Sequence, residues 1–137
     1  MSVFSDLLLF LGRIFISQIF VIAGFSKLVD FHGALSTMTT AGVPYAEIML
    51  VIAIVVELGG GLLLLFGWLT RLGALMLIVF VVLATYYFHS FWSFEAANKI
   101  NQIYHFTKNV TIVGGLIYVL VIGSGRFGLD HLFRKKQ

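Results

Sequence analysis

Four long apolar segments, separated by more polar stretches, dominate the pattern along the chain. A helix needs about 20 mainly apolar residues to cross a hydrocarbon core about 30 Å thick. The pattern therefore predicts four transmembrane helices, which run roughly over Leu7–Phe25, Ile48–Phe66, Leu72–Phe88 and Phe106–Ile122.

The links between these segments indicate how the helices are arranged. Pro44, the only proline, precedes the second segment, and proline is well tolerated at a helix start. Residues 31–40 in the long first link are predicted to form a short interfacial helix. Residues 67–71 alone join the second and third segments, and so short a link makes two helices antiparallel neighbours. We predict an all-α integral membrane protein, an antiparallel four-helix bundle in a single domain over residues 1–137.

Composition and charge agree with a membrane location and predict an orientation. The chain is 60% hydrophobic and 11% charged, with a mean hydropathy of +1.03, whereas soluble domains carry about 25% charged residues. Lysine and arginine collect in the cytoplasmic loops of membrane proteins. The side that holds both termini is the richer in these residues, so both termini are expected in the cytoplasm. It would hold Arg71, Arg126, Arg134, Lys135 and Lys136, against Lys27, Lys99 and Lys108 on the other side.

Glu57 is the only ionisable residue in the apolar run from Ile48 to Phe66. A carboxyl group at that depth is costly, and it usually faces a bundle interior, a partner or a cavity. Arg13 in the first predicted helix lies within about 5 Å of the same depth, by the rise of 1.5 Å per residue. We expect a buried ion pair between the two. This polar anchor is either a structural clasp or part of a ligand or proton site.

A second candidate cluster lies at the opposite end of the predicted bundle from the termini. It combines two imidazoles with two cations, among many aromatic residues, and consists of Lys27, His89, His105 and Lys108. Such groups can bind the oxygens of a quinone headgroup, and histidine can transfer protons to them. The alternative is ordinary interfacial decoration, since aromatic and cationic residues favour the headgroup region.

The residue inventory limits the cofactors of this chain. It contains no cysteine, which excludes disulfides, zinc thiolates and cysteine-held iron–sulfur clusters. The histidine spacing does not match a metal or haem site, so neither is expected. A quinone is the one candidate cofactor, and a nucleic-acid partner is not expected, because the basic residues are scattered.

Several short elements, in this order and at these spacings, resemble the DoxX family of small four-helix membrane proteins. The chain looks especially like its YqjF-type branch in the bacterial inner membrane. The matching elements are Arg13, Ala23-Gly24-Phe25-Ser26-Lys27, Gly42-Val43-Pro44, Glu57-Leu58-Gly59-Gly60-Gly61, Phe66-Gly67-Trp68-Leu69-Thr70-Arg71, Phe88-His89, Lys108-Asn109, Gly125 and Asp130.

The resemblance implies a multi-pass inner-membrane protein and three functional hypotheses. Family members look like the membrane subunit of a thiosulfate:quinone oxidoreductase, or are associated with resistance to quinones and oxidative stress. We therefore expect a quinone-interacting accessory subunit that needs other membrane or redox subunits, because this chain shows no thiosulfate site of its own. The alternatives are a non-catalytic scaffold or partner-binding protein, as in a eukaryotic cargo receptor of the wider superfamily, and a small-molecule permease, which would act as a homo-oligomer.

Overall fold

The computed structural model describes residues 2–134, without the side chains of residues 96 and 134, and is all helical apart from short links. Four of the helices in this part of the chain are long and apolar enough to cross a membrane, as predicted. The helices are α1 (Val3–Val29), α2 (Phe31–Thr40), α3 (Ala46–Phe66), α4 (Thr70–Phe88), α5 (Ala96–Ile122) and α6 (Leu129–Arg134), and a 3₁₀ turn covers Phe91–Ser93.

Two of the membrane-spanning helices are longer than their apolar segments. The hydroxyl of Ser2 accepts a hydrogen bond from the Ser5 N–H (3.2 Å) and caps α1, which then continues to Val29. The predicted start of the last helix at Phe106 is wrong, since α5 begins ten residues earlier at Ala96. Hydropathy marks the membrane-crossing part of a helix, and a polar turn without a helix breaker simply extends it.

The helix α3 is interrupted at its centre by a π-helical turn over Val55–Gly59, which contains Glu57. A π turn inserts one extra residue into an α-helix, and such turns occur frequently at functional sites. The apolar pattern around Glu57 carries no signal for it. The turn therefore places a structural irregularity at the only ionisable residue of this apolar run.

Glycines allow α1 and α3 to lie in close contact. A Cβ atom on Gly24 would come within 2.8 Å of the backbone nitrogen of Leu58, and one on Gly61 would lie 3.1 Å from the Cβ of Phe20. Small residues at helix crossings permit this approach in membrane proteins. Beside this contact lies the larger buried apolar cluster, which consists of Phe20, Leu64, Ala74, Leu77, Val81 and Leu116.

The two ends of the bundle are built from different helices and links. At the terminal end, the first turns of α1 meet the link between α3 and α4 and the segment 123–134. At the distal end, α2 covers the helices α1, α3 and α4, and the link 89–95 leads into α5. Each end contains a cavity, and charged side chains line both cavities.

Candidate functional site

The distal end encloses a cavity of about 790 Å³, called here the distal cavity. All five helices from α1 to α5 contribute to its lining. The wall is mainly apolar and includes Phe20, Phe80, Val81, Phe88 and Ile112. Ligand sites are commonly clefts of about 300–1,000 Å³ with apolar walls and a few placed polar groups. The distal cavity matches that description in size and lining.

Glu57 is the most deeply buried carboxylate of this cavity, and its partner is Lys27. The Nζ atom of Lys27 lies 2.8 Å from Oε2 of Glu57, and the two side chains are 31% and 6% exposed. No donor other than Lys27 reaches the buried Oε2 within residues 2–134. Lys27 is its only ion-pair partner within residues 2–134. Lone pairs of the carboxylate thus remain free beside the cavity.

The predicted ion pair between Arg13 and Glu57 is wrong, although both side chains are buried as expected. Arg13 Nη2 instead donates to the carbonyl oxygen of Phe127 (3.2 Å), and its guanidinium lies 5.7 Å from the ring centre of Phe10. The guanidinium also packs against Gly67 at the terminal end. Gly67 follows Glu57 by ten residues, or about 15 Å of helix, so the two predicted partners lie at different depths.

Side-chain direction explains why Lys27 replaces Arg13. Helical side chains tilt toward the N-terminus of their own helix. Arg13 therefore leans toward the terminal end and away from Glu57, whereas Lys27 leans from the end of α1 back toward it. The sequence carried this signal, because Lys27 follows Arg13 by fourteen residues, which is close to four helical turns and places both on one face of α1.

The structure brings the predicted distal residues together, three of them at the cavity wall. Lys27, His89 and Lys108 line the distal cavity. The rings of His89 and His105 stack with their centres 4.8 Å apart and their planes at 13°. His105 lies outside the lining, and its Nδ1 is 3.4 Å from Nζ of Lys108. Nδ1 of His89 is held 2.8 Å from Oε1 of Gln102.

Asn109 is a cavity residue that the functional interpretation of the sequence missed. Its Nδ2 donates to Oγ1 of Thr85 (2.9 Å), and that hydroxyl donates to the carbonyl of Val81 (2.6 Å). The bond between α4 and α5 orients the amide at the cavity wall. The available signals were its position beside Lys108 and the spacing of four residues between Thr85 and His89, which places both on one face of α4.

At the terminal end, Asp130 holds the link between α3 and α4. Its carboxylate accepts hydrogen bonds from the Leu69 N–H (2.7 Å), the Thr70 N–H (3.1 Å) and the Thr70 hydroxyl (2.8 Å). Its own N–H donates to the Gly67 carbonyl (2.8 Å). Leu69 has a positive φ of 44°, a strained conformation for a residue with a Cβ. Asp130 thus caps α4 from a distant part of the chain and stabilises this turn.

A cavity of about 760 Å³ also lies at the terminal end and is called here the terminal cavity. Arg71 lines it, but its Nη2 donates to the carbonyl of Val121 (3.0 Å) at the end of α5. Asp130, also in the lining, is committed to capping α4. Arg71 and Asp130 are therefore bonded mainly within the protein itself.

The family model described as DoxX matches residues 8–90. The chain belongs to the DoxX family. Over 136 residues, it is 36% identical to the inner membrane protein YqjF of Escherichia coli strain K12, with 99% of each chain covered.

Two further proteins are similar to this chain, one over most of its length and one over about half. The chain is 30% identical to the inner membrane protein YphA of the same strain, covering 90% of this chain and 89% of the relative. It is also 30% identical over 67 residues to a Surfeit locus protein 4 homolog of Schizosaccharomyces pombe, covering 47% of this chain and 22% of the relative. No solved structure matches. The family resemblance and the inner-membrane location are confirmed, and the chain is a multi-pass inner-membrane protein.

Proposed function

We propose that the distal cavity binds a quinone-class molecule, and that the chain acts as a quinone-interacting accessory subunit of a membrane oxidoreductase or quinone-resistance system. One observation carries this proposal. A single cavity joins the ion pair of the partly exposed Lys27 and the buried Glu57 to His89, Lys108 and Asn109. A flat molecule with oxygens on opposite sides of an aromatic ring suits such a site.

The chemistry of the lining supports this class of ligand. Phenylalanine rings in the wall, such as Phe20 and Phe80, favour a planar apolar body. The ammonium of Lys108 can donate to a ligand oxygen, and the imidazole of His89 can donate, accept or transfer a proton. The stacked ring of His105 supports His89 from outside the cavity. Glu57 and the distal residues Lys27, His89 and Lys108 thus line one cavity, whereas Arg13, the other member of the expected anchor, lies at the terminal end.

An antiparallel arrangement with both termini in the cytoplasm belongs to the same proposal. The contacts of Gly24 with Leu58 and of Gly61 with Phe20 support opposite directions for α1 and α3. Arg71 and Arg126 lie at the terminal end, and arginine is enriched on the cytoplasmic side. With this orientation, the distal cavity opens toward the periplasmic side of the membrane.

The accessory role follows from the groups that the chain can offer. It has no cysteine, and within residues 2–134 no three histidine, aspartate or glutamate side chains converge in a metal-binding group. A bound quinone would therefore exchange electrons with a partner redox subunit in the membrane. A homo-oligomer is also compatible with this role.

Co-purification of the native ligand tests the proposal. The protein is isolated in a mild detergent, and the extracted small molecules are quantified by mass spectrometry for the parent, the double variant His89→Ala/Lys108→Ala and the control Arg71→Ala. We expect about one quinone per chain in the parent and the control, because ligand contacts lie at the distal end, and a loss of at least tenfold in the double variant.

Two outcomes would contradict the proposal. Phospholipid alone in the parent preparation would favour the scaffold alternative. Loss of the quinone in Arg71→Ala, with normal occupancy in the double variant, would place the site at the terminal end. Equal elution profiles of all three proteins in detergent serve as the control for folding.

A further inference from the structure

We propose that the distal cavity binds the reduced, hydroxyl-bearing form of its ligand, a hydroquinone, more tightly than the quinone, with Glu57 as the specificity-determining residue. This inference rests on the proposed function and names the redox form that the site selects. It derives from the unused acceptor capacity of one buried carboxylate.

Glu57 presents to the distal cavity a carboxylate with acceptor positions that Lys27 does not fill. Glu57 is 5% exposed, and within residues 2–134 its buried Oε2 has no neighbouring donor other than Lys27. A carboxylate has about four lone-pair positions for hydrogen bonds, and leaving a buried acceptor unused is costly. Lys27, with its Nζ 2.8 Å from Oε2, neutralises the charge but leaves most of these lone-pair positions unfilled. A ligand group beside Glu57 is therefore favoured if it brings a hydrogen.

This requirement separates the two redox forms of a quinone. The oxygens of a quinone are carbonyl acceptors, so one placed beside the Glu57 carboxylate would oppose another acceptor. A hydroquinone hydroxyl would instead donate to the carboxylate, and hydrogen bonds to a charged group are among the stronger ones. A cationic amine would also donate, but the nearby ammonium of Lys27 would repel it. A neutral hydroxyl fits the pair best.

The outer part of the cavity does not discriminate in the same way. Lys108 carries only donors, and the Asn109 amide carries donors and an acceptor. His89 can adopt either role through its tautomers. These groups can satisfy a carbonyl or a hydroxyl oxygen equally well. Selection between the two forms therefore depends on Glu57, which lies in the π turn at the inner end.

A three-probe binding experiment on the unmodified protein tests this selectivity. The protein is reconstituted in lipid nanodiscs, and binding is measured by anaerobic equilibrium dialysis against empty nanodiscs. The probes are durohydroquinone, duroquinone and 1,4-dimethoxytetramethylbenzene, whose fully substituted rings cannot add lysine. We expect durohydroquinone to bind about 10- to 100-fold more tightly than duroquinone, the range given by one hydrogen bond to a charged acceptor. The dimethoxy probe, which has no O–H group, should bind no better than duroquinone.

Exchanging the carboxylate for an amide sharpens the test. Glu57→Gln keeps the side-chain shape but can donate, so the ratio of the two affinities should fall toward one as quinone binding improves. Glu47→Gln, an exposed position at the start of the same helix, is the matched control and should keep the ratio of the parent. The comparison of durohydroquinone with duroquinone on the unmodified protein tests the selectivity even if Glu57→Gln does not fold.

The outcomes distinguish this inference from the function on which it rests. Equal binding of both redox forms to the parent, or tighter binding of duroquinone, would overturn the selectivity and leave the quinone site intact. Absence of binding by all three probes, relative to empty nanodiscs, would overturn the proposed function and the inference together. An unchanged ratio in Glu57→Gln would assign the selectivity to another residue.

Discussion

Each end of the bundle contains a buried charged residue with unused hydrogen-bonding capacity, but only Glu57 at the distal end lines one of the two cavities. At the terminal end, Asp130 accepts three hydrogen bonds from Leu69 and Thr70, and Arg13 and Arg71 each donate to a backbone carbonyl. At the distal end, Glu57 pairs with Lys27, and no further donor from residues 2–134 reaches its buried Oε2. Nε and Nη1 of Arg13 also lack a partner among the described residues, but Arg13 lines neither the terminal nor the distal cavity, whereas Glu57 lines the distal one.

This difference shows how a buried polar residue in a membrane protein can be interpreted. A charged group in an apolar segment is a candidate for function, but Arg13 and Glu57 both meet that criterion and only Glu57 lines the distal cavity. Access to a cavity separates the two cases, since Arg13 lines neither the distal nor the terminal cavity. Arg13 binds the carbonyl of Phe127 and tethers the segment after α5, so its role is to hold the terminal end together.

Removing the cap at the terminal end should give the largest change in stability. Asp130→Ala leaves two backbone N–H groups and a hydroxyl without their charged acceptor, and we expect a loss of about 2–3 kcal/mol. Asp30→Ala at the distal end is the matched control, because its carboxylate caps α2 through one backbone N–H of Gly33 (3.1 Å). The control should lose about 0.5–1.5 kcal/mol.

The measurement is the free energy of unfolding from denaturant titration in mixed micelles. A larger loss for Asp30→Ala than for Asp130→Ala would contradict the assignment of the terminal end as the more extensively bonded one.

Double-mutant cycles should give a smaller effect that separates the two buried charges. Lys27→Met and Glu57→Leu should be coupled by about 1–2 kcal/mol, reduced from the usual value for buried pairs because Lys27 is partly exposed. Arg13→Met and Glu57→Leu should add within about 0.5 kcal/mol, since distant sites are independent. The unfolding free energies of the singles and doubles provide both values. Strong coupling of Arg13 with Glu57 would contradict this assignment and support the ion pair predicted from sequence.

Much of the fold followed from the sequence because apolar length is set by membrane thickness. All four predicted spans are present, and the end of α3 at Phe66 and the short helix α2 appear where they were predicted. Local hydropathy contains no information on the polar start of α5 or on the π turn at Val55–Gly59. The polar start of α5 needs no apolar residues, and the π turn arises from backbone hydrogen bonding within a continuous apolar run.

The candidate site was predicted in its components but not in its connections. The residues Glu57, Lys27, His89 and Lys108 were selected from sequence, and the structure places all four around one cavity. The pairing of Glu57 depends on the depth of each side chain and on its tilt along the helix. Helix rise alone places Arg13 beside Glu57, whereas the structure pairs Glu57 with Lys27. Asn109 was overlooked as a site residue because its position at the cavity depends on a contact with Thr85 from another helix.

The most direct test of the difference between the two ends fills each cavity in turn and measures ligand binding. Ala84 lines the distal cavity and Leu72 lines the terminal cavity, so Ala84→Phe and Leu72→Phe form a matched pair. Durohydroquinone binding to each variant in nanodiscs is compared with the parent. We predict at least a tenfold loss in Ala84→Phe, because the added ring occupies the ligand volume, and an unchanged affinity in Leu72→Phe. Unchanged binding in Ala84→Phe together with a loss in Leu72→Phe would contradict the account.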